Sequence, residues 1–110
     1  SIADYVPAGD PDCRFSIGAA DAYFGFSPEG SDIVQRFKDN GSICNAGTSD
    51  TALACWDGLS TSEQTIASAI SSNQPAGATT SIRFRVGIGG SVVQAPGLYT
   101  ATTTLTALPL

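Results

Sequence analysis

The chain contains no histidine, and that closes more chemistry than any residue present opens. Without an imidazole there is no Ser-His-Asp or Cys-His nucleophile, and the commonest zinc ligand is missing. Ten carboxylates remain. Glycoside hydrolysis needs only an acid and a base or nucleophile, so Glu29, Glu63, Asp32 and Asp57 are the side chains that would serve it. No spacing selects a pair among them, and on so small a chain a solvated carboxylate is the commoner fate. Asp10-Pro11-Asp12 and Asp39-Asn40-Gly41 offer oxygen ligands, but neither has the EF-hand spacing for calcium. Lys38 is the only lysine and lies in a polar Lys38-Asp39-Asn40 stretch, where nothing apolar would keep it an uncharged nucleophile. We therefore expect no enzyme, no metal centre and no cofactor.

Three cysteines carry the remaining covalent chemistry. Cys44 and Cys55 bracket the polar, turn-rich residues 45–50, which a disulfide would hold closed as in exported proteins. A bridge across so short a loop contributes about 3 kcal/mol in the chain-entropy picture. Scattered cysteines without Cys-x-x-Cys spacing do not make a tetrahedral zinc site. Cys13 is left over: it is a buried thiol, an intermolecular bridge to another chain, or the partner of a segment outside these residues. Trp56 stands beside Cys55. Its indole either stacks on a sugar, with Asp57 and Tyr23 extending the ligand platform, or packs against the cystine as tryptophans in such positions do.

These side chains need a scaffold, and the clearest element signal runs over residues 81–88. Ile82, Phe84, Val86 and Ile88 alternate there with Ser81, Arg83, Arg85 and Gly87, the mark of a strand with one buried and one wet face. Residues 99–107 repeat the theme. Tyr99, Ala101, Thr103, Leu105 and Ala107 alternate with four threonines, and β-branched residues favour extended backbone. A threonine row of this kind is most simply the exposed face of a strand. Shorter candidate strands cover residues 2–6, 13–17, 22–26, 65–70 and 91–94. Turn chemistry separates them at residues 74–77, 87–90 and 95–97. One segment reads as a short helix near residues 32–40: Ser31 can cap it, Ile33, Val34 and Phe37 share a face, and Gly41 follows.

Charge is sparse and divided. Only 14% of residues are charged, so the surface must be wetted mostly by Ser, Thr, Asn and Gly. All ten acids fall within residues 1–63, against Arg14, Arg36 and Lys38, whereas residues 64–110 carry Arg83 and Arg85 alone. With a net charge of -5 and no basic cluster, nucleic acid is not an expected partner. No run approaches the roughly 18 apolar residues that cross a bilayer. The start at Ser1 instead of Met is read as a processed or truncated piece whose export signal has gone.

Residues 97–107, Gly-Leu-Tyr-Thr-Ala-Thr-Thr-Thr-Leu-Thr-Ala, resemble the last strand of bacterial immunoglobulin-like surface domains. A wider resemblance runs through Ala3-Asp4-Tyr5, Pro7-Ala8-Gly9, Phe24-Gly25-Phe26, Asp39-Asn40-Gly41-Ser42, Cys44-Asn45, Cys55-Trp56 and Phe84-Arg85-Val86. In these motifs the chain is similar to uncharacterised secreted β-rich surface proteins of the Patescibacteria, candidate-phyla bacteria with reduced genomes. The resemblance brings no active site with it. It implies further strands upstream of Ser1, so that residues 1–110 would be the C-terminal part of a longer exported protein.

Together these readings predict an all-β protein: a single immunoglobulin-like antiparallel β-sandwich of about seven short strands. The expected function is an extracellular structural or adhesive cell-surface subunit, assembling into a filament or layer by strand or edge complementation. Its partners are protein, either itself or another surface protein, with no insertion into a membrane. The alternative is a carbohydrate-binding module that takes glycans on Trp56 and nearby polar residues.

Overall fold

Residues 22–30 form the spine of the protein, and the reason is visible in how their two faces and two edges are used. In the computed structural model, which describes residues 2–69 and 77–108, Ala22–Gly30 is a nine-residue strand, β2. It lies between β1, Ala3–Asp4, and β3, Thr80–Ile88, in a sheet of order β1-β2-β3. β1 runs parallel to β2 and β3 antiparallel, with Phe24 opposite Val86 and Phe26 opposite Phe84. Pro28 is tolerated inside β2 because its missing donor falls on the side away from β3. There Asp57 exchanges both backbone hydrogen bonds with Phe26, at 2.9 Å each.

The core sits against one end of one sheet face. Phe26, Ile33, Phe37, Cys44, Ala54 and Cys55 form the buried cluster, with Cys13, Val34, Leu59, Ile66 and Ile82 packed around it. The opposite face carries the sequence-polar residues of β3, yet it is not bare. The Phe15 ring lies across Gly25 and Gly87, where added methyl groups would come within 2.9 Å and 2.7 Å of its edge. Glycine at both positions lets an aromatic ring rest directly on backbone.

This architecture overturns the expected seven-strand sandwich: the described residues hold three strands in one sheet. Residues 13–17, 91–94 and 99–107 are not strands, and of residues 65–69 only Ala67 bridges, to Ile33. Part of the 74–77 turn and position 70 lie outside the described residues. Alternation is a local property, whereas a second sheet needs partners at long range. Residues 31–59 do not supply them. That stretch is spent on turns, with Asn45, Leu53 and Cys55 at positive φ and isolated bridges instead of ladders.

The short helix is corrected likewise. Only Gln35–Phe37 forms one 3₁₀ turn, flanked by extended Val34 and Lys38. The backbone before it is committed elsewhere: Val34 N–H donates to Ile66 C=O at 3.0 Å, and Ser68 N–H donates to Asp32 C=O at 2.9 Å. Ile33 and Phe37 still reach the core, so the spacing of apolar residues located the buried side chains but not the backbone that carries them.

Candidate functional site

Two of the four carboxylates that could serve as acid and base are occupied structurally. Asp57 follows Trp56 along the β2 edge and receives the Arg36 guanidinium through Nη2 at 2.8 Å and Nε at 3.2 Å. Its other oxygen accepts the Gly58 N–H, and Gln64 donates to the first. Glu29 is tied to Arg83 at 2.8 Å and to the Leu53 N–H at 3.2 Å. Hydrogen bonding from Arg83, then from Leu53, holds the Glu29 carboxyl below its ordinary range. Glu63 is exposed and Asp32 half-buried. Among the described residues no three Cys, Asp or Glu side chains converge as ligands for a metal ion.

Sequence reasoning passed over Asp39 as a carboxylate with work of its own. It is fully buried and accepts from the Thr51 N–H at 3.1 Å, the Thr51 hydroxyl at 2.8 Å and the Gly41 N–H at 2.9 Å. Burial raises its pKa, but these donors together outweigh burial and leave it below the ordinary value. Its backbone also exchanges two hydrogen bonds with Ser49. The available signal was Asp-Asn-Gly, a turn tripeptide whose first side chain commonly accepts from backbone two residues on.

The disulfide expected between Cys44 and Cys55 is formed, with Cα atoms 5.7 Å apart, and both halves are buried. Cys13 is a free, half-buried thiol. It borders a shallow concavity of about 530 Å³ with Asp12, Arg14, Ser16, Gly41 and Ser42. Among the described residues no helix is long and apolar enough to cross a membrane.

Trp56 is packed, not presented. It is 2% exposed, its Nε1–H donates to Leu53 C=O at 2.8 Å, and the Phe15 ring meets it edge-on at 5.4 Å. The Arg85 guanidinium stands 5.1 Å from the Phe15 centroid and 6.0 Å from that of Trp56. Tyr23 contacts Tyr5 edge-on at 5.9 Å. Of the residues expected as a sugar platform, Trp56 and Tyr23 are therefore brought to the Phe15 side of the sheet, with the indole under other side chains, whereas Asp57, paired with Phe26, turns to the opposite face and Arg36.

What the structure leaves open is β3. Tyr5 N–H donates to Phe24 C=O, and Phe26 pairs with Asp57, so the backbone polar groups of Phe24 and Phe26 point away from β3. In antiparallel register, those of their partners Val86 and Phe84 then point away from β2. Among the described residues no further strand meets that edge. The apolar face beside it is covered only at the Phe26 and Ile82 end. Phe84, Val86 and Ile88 remain 47%, 52% and 47% exposed, with Phe84 stacked on Phe24 at 5.6 Å.

This nine-residue edge has no lysine, proline or bulge to block further pairing, and its two charges are engaged elsewhere, Arg83 by Glu29 and Arg85 over the Phe15 and Trp56 rings. Its chemistry is recognition by main-chain hydrogen bonds, with alternate side chains entering the apolar surface. No family model, curated protein or solved structure matches this chain.

Proposed function

We propose that the protein is an extracellular structural or adhesive subunit of a bacterial cell surface, one that works by having its open sheet edge completed by another strand. The observation that carries this reading is the outer edge of β3, with an exposed apolar surface at Phe84, Val86 and Ile88. The buried Cys44–Cys55 bridge agrees with an oxidising compartment. The resemblance of the sequence to secreted surface proteins of the Patescibacteria supports the same setting. The well-held carboxylates favour a scaffold over a catalyst, because Asp57 and Asp39 each accept on both oxygens from donors of the chain itself and Glu29 is held by Arg83 and Leu53.

Size-exclusion chromatography and electron microscopy of the purified protein at near-physiological concentration test the proposal. Concentration-dependent association into dimers, filaments or layers is the expected result. A monomer at every concentration, with the Phe84 and Val86 amides already protected from exchange, would count against it.

A further inference from the structure

We infer that the strand completing β3 is residues 98–107 of a second copy of this chain, which deepens the assembly reading above and rests on it. The segment has the acceptor's own pattern: Tyr99, Ala101, Thr103, Leu105 and Ala107 alternate with Thr100, Thr102, Thr104 and Thr106. It forms no strand where it lies. It is long enough, ten residues against the nine of β3. No residue after Arg85 is charged, so this segment brings no ion of its own to be desolvated at the edge. Leu98 and Leu105 are 93% and 69% exposed, side chains that gain most from a covering surface.

The chain also shows where the segment goes. Ala101 and Thr103 line, with Phe24 and Phe84, a shallow groove of about 330 Å³. Small side chains at alternate positions thus face the two stacked rings across this groove, but no backbone hydrogen bond joins them to β3 among the described residues. Within one chain the segment returns alongside these rings without pairing to β3 among the described residues. After Ile88 the backbone does not turn back: Gly89 N–H donates to Asp21 C=O and Ser91 N–H to Ala19 C=O, continuing the β2–β3 register past the end of the strands. A reversal follows, around Pro96 and Gly97, where the Tyr99 hydroxyl is bonded to Ala95 C=O and accepts from Gln94. Exchange between copies lets the segment pair fully with an edge approached from outside, the usual low-cost route to a swapped assembly. One donor and one acceptor per chain permit either a closed pair or an open-ended filament.

The test uses the full chain in a Cys13→Ser background, so that any association is non-covalent. Val86→Pro blocks the acceptor: the Val86 N–H points to the open edge, so the β2–β3 ladder keeps its bonds. Ala101→Pro/Thr104→Pro blocks the donor whichever parity faces the edge. Where the parent is more than half associated by analytical ultracentrifugation, each variant should be monomeric. Their equimolar mixture should form a heterodimer and nothing larger. If the parent associates and both variants do so equally, this assignment fails while assembly stands; if the parent stays monomeric throughout, both fail. Should a variant not fold, hydrogen exchange on the parent alone decides. Association should slow the Phe84, Val86 and Ile88 amides at least tenfold, whereas equal protection at all concentrations would mean pairing within one chain and overturn the inference.

Discussion

Arg36 and Asp57, 21 residues apart in sequence, meet at 2.8 Å and so join the 3₁₀ turn to the strip of chain that covers the β2 edge. The same guanidinium reaches the Gly9 carbonyl at 3.1 Å. Three segments, residues 7–10, 35–37 and 56–58, therefore converge on one side chain. The Asp57 side chain is 9% exposed and Arg36 33%, which places the pair between surface bridges and fully buried ones. Arg36→Met should destabilise by about 2 kcal/mol, because it strands a carboxylate with little water. Asp57→Asn should cost about half as much, since the amide oxygen can still accept from Gly58 or Gln64. Urea midpoints of the two variants give the comparison.

Asp39 gives the fold a pH dependence with a defined sign. Its carboxyl is held below the ordinary value by Thr51 and Gly41 against the effect of burial, and Glu29 is lowered by Arg83. A depressed folded-state pKa adds stability that is complete above about pH 4, the unfolded range for carboxyls, and is lost as pH falls through the folded values. Stability should thus be level from neutrality down to about pH 5 and fall below about pH 4. Asp39→Asn should flatten that limb and cost about 2 kcal/mol at pH 7. Every neighbour of its two oxygens is a donor, so the amide NH₂ must confront one of them. Thermal denaturation at pH 3, 5 and 7 reads both effects.

Tyr5 sets the opposite limb. Burial first, then its hydrogen bond to Asp12, raises the phenol pKa. A raised value favours the fold below about pH 10 and withdraws that support as pH climbs through the folded pKa. Tyr5→Phe should lose the hydrogen bond, about 1 kcal/mol, and make the fall of stability above about pH 10 shallower. The check is a pH titration of near-ultraviolet circular dichroism.

What the sequence disclosed follows from the range of each interaction. The period-two pattern at residues 81–88 located β3 almost to the residue, because alternation is written within a single strand. The disulfide was equally legible, since Cys44 and Cys55 flank an evident loop. Residues 99–107 carry an equally strong pattern and form no strand, because a strand exists only when paired and this segment makes no backbone hydrogen bond to the open edge of β3 among the described residues. Tyr99, on the face of that pattern opposite the threonine row, is 45% exposed and bonded to its own turn. Asp39 reads in sequence only as an oxygen ligand of the Asp39-Asn40-Gly41 stretch at the end of the expected helix. Its burial depends on Thr51, twelve positions away, and no local pattern announces such a pair.

Cys44 and Cys55 close a loop of 11 residues' separation within the buried cluster, so the bridge has both an entropic and a packing role. Closing a loop of this length in the unfolded chain contributes about 3 kcal/mol. Replacement by Cys44→Ala/Cys55→Ala should lower stability by at least that amount, because the sulfurs also leave space among Phe26, Phe37 and Ala54. Cys55 is fully buried and Cys44 4% exposed, so a dissolved thiol cannot reach the bond without an opening of the fold. Reduction by dithiothreitol should therefore be slow in buffer and speed up by orders of magnitude in urea near the unfolding midpoint. Mass-spectrometric timing after alkylation separates the two regimes. Rapid reduction under native conditions would mean that residues 44–55 open independently of the sheet, and that the Asp39 hydrogen bonds do not hold the loop closed.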